Sequence, residues 1–169
     1  IGVRLVGSEM CIRDRHMILC NQDTLFKKVD SLMRGNPVEE LEAALEATGR
    51  RIALVAPSFP RMGRTVDGGV LHLPDGSVKD LLTMFKDRAH MAVCHIPLAR
   101  LRTEGVGLAA ALVRREAPLL CLIDAVTEAD LSLVAEIGQA LDAPPVYCGS
   151  AALAEVLPVR GGLPDVPCR

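Results

Sequence analysis

Tryptophan is absent from this sequence, and three phenylalanines and one tyrosine supply all of its other aromatic rings. With so few rings the chain has little to stack on a nucleobase or a sugar face, so recognition has to run through polar groups. An excess of one charge is also lacking. The formal net charge is −2 with 24% charged residues, and no long run of like charge occurs. This balance excludes a nucleic-acid backbone or an anionic membrane surface as the main partner and leaves a small molecule. No stretch approaches the roughly 18 uninterrupted apolar residues of a membrane span, and no secretory hydrophobic region is present. CxxC pairs and Cys/His clusters at zinc spacing are missing, so no metal ligand is expected. Neither GxxxxGK followed by Ser or Thr nor GxGxxG occurs, which removes the P-loop and the dinucleotide fingerprint.

What is present suits one soluble globular domain: 169 residues, half of them hydrophobic. Cys94, Cys121 and Cys148 each lie inside an apolar run, where a free thiol behaves as a small hydrophobe, and a reducing cytoplasm fits best. The opening IGVRLVGSEMCIRDR has neither helical nor strand periodicity with matching caps. Its segment VGSEMCIRDR resembles translated sequencing-adapter read-through, so residues 1–15 are expected to be non-native and are set aside. From His16 onward, short aliphatic runs alternate with amphipathic stretches, the pattern of βα units around a mostly parallel sheet.

Asn36 followed by Pro37 predicts a helix start, with Glu39 and Glu40 facing the positive end of the dipole. Val38, Leu41, Ala44 and Leu45 form its apolar face and Gly49 its end. A strand over 51–56 follows, then PSFPRMGRT, whose prolines and glycine predict a loop without regular structure. Gly68 and Gly69, the run VLHL, and Pro74 to Gly76 predict a short hairpin arm. Val78, Leu81, Leu82 and Phe85 predict a helix and 91–96 a strand. A helix over 108–113 and an aliphatic strand over 119–123 precede Asp124. Thr127 and Asp130 form a capping box for a helix over 128–141, a strand over 146–148 follows, and Gly149 with Ser150 opens a last helix through Leu157. Residues 159–169 read as linker.

Ligands of open α/β sheets bind outside the carboxyl ends of the strands. Three such ends are legible: the loop after Ala56, the Asp124 position, and Gly149 with Ser150, where a helix N-terminus offers unpaired amides. Lys27, Lys28, Asp30, Ser31 and Arg34 precede the helix at Asn36 and form an anion-friendly cluster. Alternation along a strand turns the two lysines to opposite faces, so at most one of them meets a ligand. Asn36 caps its helix, and a ligand contact for it stays open. Asp124 either closes the turn into the Thr127 cap or faces a ligand. Arg64, between Gly63 and Thr65, suits bidentate carboxylate recognition. His72, His90 and His95 read as structural, and Glu39, Glu40, Glu42 and Glu46 as a solvated helix face.

The run KKVDSLMRGN, residues 27–36, resembles the KKVDSTLRGN signature of the four-carbon acid sugar kinase N-terminal domain. LVAPSFPRMGRT, IDAVTEADL and CGSAALAEVL are similar to that family's later blocks and stand in the same order, so the resemblance spans about residues 24 to 158. It implies a Rossmann-like three-layer α/β domain over 16–158, incomplete at its N-terminal strand. This domain would be the substrate-binding half of an ATP-dependent kinase for a threonate, erythronate or oxo-tetronate. Carried onto matching positions, Lys28, Asp30, Ser31, Arg34, Asn36, Arg64 and Thr65 are the expected substrate-binding residues, with Arg34 or Arg64 on the carboxylate and Asp30 on the hydroxyls. Asp124, Gly149 and Ser150 are expected at the cleft between domains. ATP and Mg2+ are expected on a C-terminal domain outside this chain, with no cofactor on these residues, so the fragment alone should not turn over. The expected partner is a small sugar acid, with a homo-oligomer allowed. Leu32 and Met33 replace the family's Thr-Leu pair, the stretch from Thr65 to Ser77 is shorter than usual, and an ADDLTGA-like strand is missing. A stand-alone α/β small-anion-binding module without catalysis is the alternative reading, and a fragment that does not fold stably is a third.

Overall fold

The computed structural model describes residues 17–20 and 24–157; the adapter-like segment 1–15 and the expected linker 159–169 lie outside them. Nine strands occur among the described residues: β1 (Met17–Cys20), β2 (Thr24–Lys28), β3 (Ile52–Ala56), β4 (Thr65–Asp67), β5 (Val70–His72), β6 (Val78–Asp80), β7 (Ala92–Ile96), β8 (Leu119–Ile123) and β9 (Val146–Gly149). The helices are α1 (Pro37–Thr48), α2 (Leu81–Arg88), α3 (Leu98–Glu104), α4 (Leu108–Val113), α5 (Glu128–Gln139) and α6 (Ala151–Val156). A six-stranded sheet runs β1-β2-β9-β3-β8-β7. Five of its strands are parallel and β1 is antiparallel to β2 at the edge.

Both faces of this sheet are covered, and for that reason β3 and β8 read as unbroken aliphatic runs with every residue buried. Ile52, Leu54 and Ala56 pack with residues of α3 to α6 on one face, while Ala53 and Val55 pack with Val38, Leu41 and Leu45 of α1 and with Phe85 of α2 on the other. The result is the three-layer α/β arrangement expected. Cys94, Cys121 and Cys148 are buried free thiols, and burial pushes Cys148 up to about 12, so it stays protonated at neutral pH. No helix among the described residues is long and apolar enough to cross a membrane.

Local chemistry sets the helix ends. Gly49 closes α1 with its amide on the Glu46 carbonyl, and Thr127 and Asp130 form the reciprocal capping box of α5. Helix α2 begins at Leu81, three residues later than the stripe from Val78 suggested. Val78 lies in β6 and is exposed, and Asp80 caps the helix by accepting the Thr83 amide. The loop after β3 is not wholly irregular, because Pro60–Met62 form a 3-10 turn closed by a bridge between Phe59 and Arg64. Helix α3 was not foreseen; Leu101 is its single buried residue, so it carries almost no periodic signal.

The Gly-Gly hairpin forms as an arm of three antiparallel strands, β4-β5-β6. Gly69 turns it with a φ of +76°, and a Cβ there would meet the Leu82 Cβ at 2.7 Å. A bridge between Val66 and Ala125 ties the arm to the segment leaving β8, and Ser58, fully buried, joins both by donating to the Ala125 carbonyl and accepting the Val66 amide.

Candidate functional site

The loop from Val29 to Asn36 leaves the carboxyl end of β2, where parallel sheets present their ligands. The Val29 amide donates to the Gly149 carbonyl at 3.0 Å, extending the β2–β9 ladder by one step. The chain then turns sharply: Met33 donates its amide to the Asp30 carbonyl at 2.7 Å, and the Leu32 amide donates to Asp30 Oδ1 at 3.2 Å. Met33 is the one non-glycine residue with positive φ among the described residues, at 50°, and its side chain is buried with Val38 and Leu41 of α1.

This turn walls an open crevice of about 400 Å³, within the range of small-ligand sites. Lys28, Asp30, Ser31, Arg34, Glu40, Phe59 and Ser150 are among the residues lining it. Alternation separates the two lysines as expected. Lys27 is buried beneath α1 and ion-paired with Glu40, whereas Lys28 points into the crevice. Arg34 donates through Nε to Asp30, and Arg64 donates through Nη1 to Ser31 Oγ. The Nε of Arg64 is buried with no hydrogen-bond partner among the described residues. Burial alone would raise the Asp30 carboxyl, but hydrogen bonds from Arg34 and the Leu32 amide, together with the charges of Arg34 and Arg64, more than offset it. The carboxyl is held below its ordinary value and ionised at neutral pH.

Of the residues singled out in the sequence, the fold gathers Lys28, Asp30, Ser31, Arg34 and Ser150 around one crevice and brings Arg64 to its wall through Ser31. Ser150 also caps α6 by accepting the Ala152 amide and donates to the Ser58 carbonyl at 2.6 Å. Gly149 lies beneath the crevice rather than in its lining. A Cβ there would come within 2.5 Å of the Ala56 carbonyl oxygen, so this position admits only glycine between β3 and α6. Thr65 opens β4 opposite His72 and does not line the crevice.

Asn36 stands at the N-cap of α1, yet its side chain makes no cap hydrogen bond. Its Oδ1 accepts instead from Arg88 Nη2 at 2.9 Å, within a fork that also holds both Glu39 carboxylate oxygens. Asp124 is not brought to the crevice. It is fully buried at the end of β8, where its carboxylate accepts from the amides of Gly68, Gly69 and Leu98 at 2.8, 2.9 and 3.2 Å and meets His95 Nε2 at 2.8 Å. His95 is structural in this sense, and Asp124 pins the arm to the sheet.

The acidic face of α1 is not merely solvated. Glu42 is buried and accepts the amides of His90 and Met91 at 2.6 and 2.8 Å, and Glu40 lines the crevice. Glu40 and Phe59 were missed as crevice residues. Glu40 sits in the first turn of α1, where the helix dipole alone accounts for an acidic residue, and Phe59 precedes a proline-initiated turn whose path no periodicity records. Among the described residues no group of three His, Cys, Asp or Glu side chains converges as metal ligands.

The crevice therefore presents two cations, two carboxylates and hydroxyls within one small volume. That set matches a molecule carrying a carboxylate and several hydroxyls better than an apolar one.

Comparison with known proteins is consistent with this chemistry. A family profile described as a sugar-binding N-terminal domain matches residues 15–88 and 76–157. The chain is 32% identical over 161 residues to a D-threonate kinase of Cupriavidus necator, covering 83% of this chain and 38% of that protein. It is 36% identical over 141 residues to a D-threonate kinase of Bordetella bronchiseptica, covering 79% and 35%. A crystal structure of a domain of unknown function from Bordetella bronchiseptica, with bound citrate and as a domain-swapped dimer, superposes with a TM-score of 0.62 at 30% identity, covering 78% of this chain and 35% of that one. The chain thus spans little more than a third of the length of the curated relatives it matches.

Proposed function

The chain belongs to the sugar-binding N-terminal domain family, and from that premise we propose that it is the substrate-binding part of an ATP-dependent kinase for a four-carbon sugar acid of the threonate, erythronate or oxo-tetronate type. The observation that carries this reading is the convergence of Lys28, Asp30, Ser31 and Arg34 on one crevice at the carboxyl edge of the sheet. Arg34 or Arg64 takes the substrate carboxylate. Arg34 is 73% exposed at the crevice mouth and uses Nε on Asp30, so its terminal nitrogens are available for a bidentate contact. Asp30, kept ionised, accepts from substrate hydroxyls, and Lys28 adds a second positive charge on the crevice wall.

Phosphoryl transfer depends chiefly on positioning and charge neutralisation, so a rigid polar crevice is the contribution such a domain can make. ATP and Mg2+ belong, in this reading, mainly to a C-terminal nucleotide-binding domain joined through 159–169, and residues 16–158 alone bind without turning over. A reducing cytoplasm suits the three buried thiols, and self-association is part of the proposal, by analogy with the domain-swapped neighbour.

Calorimetric titration of the chain with D-threonate, D-erythronate and a 3-oxo-tetronate tests the reading. Joined to a nucleotide-binding domain, the chain should support ATP-dependent phosphorylation of the acid it binds. Binding that falls at least tenfold in Arg34→Ala and in Asp30→Ala supports both site and class, each substitution removing a charge-assisted contact worth about 1.5–3 kcal/mol. Absence of binding to any sugar acid leaves only the fold.

A further inference from the structure

We infer that Lys79 is a positioning residue for the crevice: its ammonium, carried on the antiparallel arm, holds the backbone of the loop that presents Asp30, Ser31 and Arg34. Lys79 lies in β6, more than forty positions along the chain from that loop, and its Nζ donates to the carbonyls of Leu32 and Met33. An ammonium has three donors and can satisfy two converging carbonyls at once. Those carbonyls converge because Met33 adopts a left-handed conformation, which residues bearing a side chain rarely do. The turn is thus held from two sides, by the buried Met33 side chain below and by the Lys79 charge across its carbonyls.

The same arm supplies a second strap. Arg64, immediately before β4, donates to Ser31 Oγ. The arm is itself fixed, through the Asp124 carboxylate on the Gly68 and Gly69 amides and the bridge between Val66 and Ala125. A continuous set of contacts therefore runs from the end of β8, through the arm, to the carboxyl ends of β2 and β9 where the crevice lies. Lys79 is not among the crevice-lining residues, so it acts through the loop and not on a ligand.

This inference rests on the sugar-acid reading for its ligand but not for its first readout. In the full chain, Lys79→Met keeps much of the apolar stem and removes the charge, while Lys79→Arg restores a cation with several donors. Hydrogen exchange at residues 32–35 should accelerate about tenfold in Lys79→Met, the scale of a lost charge-assisted hydrogen bond. The amides of β3 and β8 should keep their wild-type protection, and Lys79→Arg should recover most of the loop protection. D-threonate affinity should fall about tenfold in Lys79→Met and return in Lys79→Arg. Unchanged exchange at 32–35 overturns the inference, and so does a loss of protection that extends equally to β3 and β8. If the wild-type chain binds no D-threonate while loop exchange still responds, the ligand reading fails and the clamp stands.

Discussion

Replacing Asp124 by alanine removes the acceptor for four donors at once, and the cost can be worked from their surroundings. The Gly69 amide is buried, so losing Oδ1 leaves it without a partner or water. The Gly68 and Leu98 amides are half-buried and recover part of their loss if water enters the vacated space, and His95 loses its contact to Oδ1. At about 1–3 kcal/mol for each fully stranded donor and less for the others, the total is about 3–5 kcal/mol, a third or more of the stability of a typical domain. The melting temperature should fall by roughly 10–15 °C. Asparagine does not rescue. With its amide nitrogen at the Oδ2 position it turns donors toward Gly68 and Leu98, and with the nitrogen at Oδ1 it turns them toward Gly69. Asp124→Asn should therefore lose about 2 kcal/mol or more. Urea unfolding followed by circular dichroism at neutral pH measures both variants. A loss below about 1 kcal/mol in Asp124→Ala, or an Asp124→Asn variant as stable as wild type, refutes the reasoning. A ligand-contacting aspartate gives the opposite result, with stability nearly kept and affinity lost.

Acid should act through Asp130. Burial alone would raise its carboxyl, but the bidentate contact from Arg102 and the amides of Val126 and Thr127 bring it from 3.8 down to about 2. A depressed carboxyl stabilises fully above its unfolded value and loses that contribution as pH falls through about 2. The shift corresponds to about 2 kcal/mol. The stability difference between wild type and Asp130→Asn should be about that size at pH 6 and shrink steadily below pH 4, toward zero near pH 2; a pH-independent difference in urea titrations contradicts the assignment. Lys27→Met should cost about 1–3 kcal/mol, because it leaves the half-buried Glu40 carboxylate without its partner. Adding Glu40→Gln should recover part of that loss, and a double-mutant cycle showing no coupling between the two positions removes the pair from the account.

The elements legible in the sequence were those whose cause is local or whose burial is uniform. The runs IALVA and LLCLI read as strands from their short, continuous aliphatic character, and the Thr127–Asp130 box and Gly49 marked helix ends within one turn of their neighbours. Alternation turned Lys27 and Lys28 to opposite faces of β2, but which of them meets the crevice and that the other pairs with Glu40 were not legible from the pattern. What escaped depended on partners distant in the chain. Glu40 and Glu42 looked solvated because Lys27 and the amides of His90 and Met91 could not be seen beside them. The side chain of Asn36 abandoned its cap for Arg88, and Asp124, a reasonable cleft residue by position, was taken up by the arm. The joining of Arg64 to Ser31 and of Lys79 to the Met33 carbonyl is set by how the arm folds back, which no periodicity records.

The place of β9 between β2 and β3 bears on the order in which the molecule is assembled. Leu25 pairs with Val146 and Lys28 with Gly149, so residues from opposite ends of the described chain lie side by side in the middle of the sheet. Loop closure over so long a separation comes late in folding, because its entropy must be met before the pairing rewards it. During synthesis, β2 and β3 emerge well before β9, the neighbour that joins them. The crevice shares that delay, since its walls are the turn after β2 and the start of α6, and neither faces the other until β9 has slotted in. Recognition thus becomes available only to a chain whose sheet is complete, and a break ahead of Val146 splits the layer at its centre instead of trimming its edge.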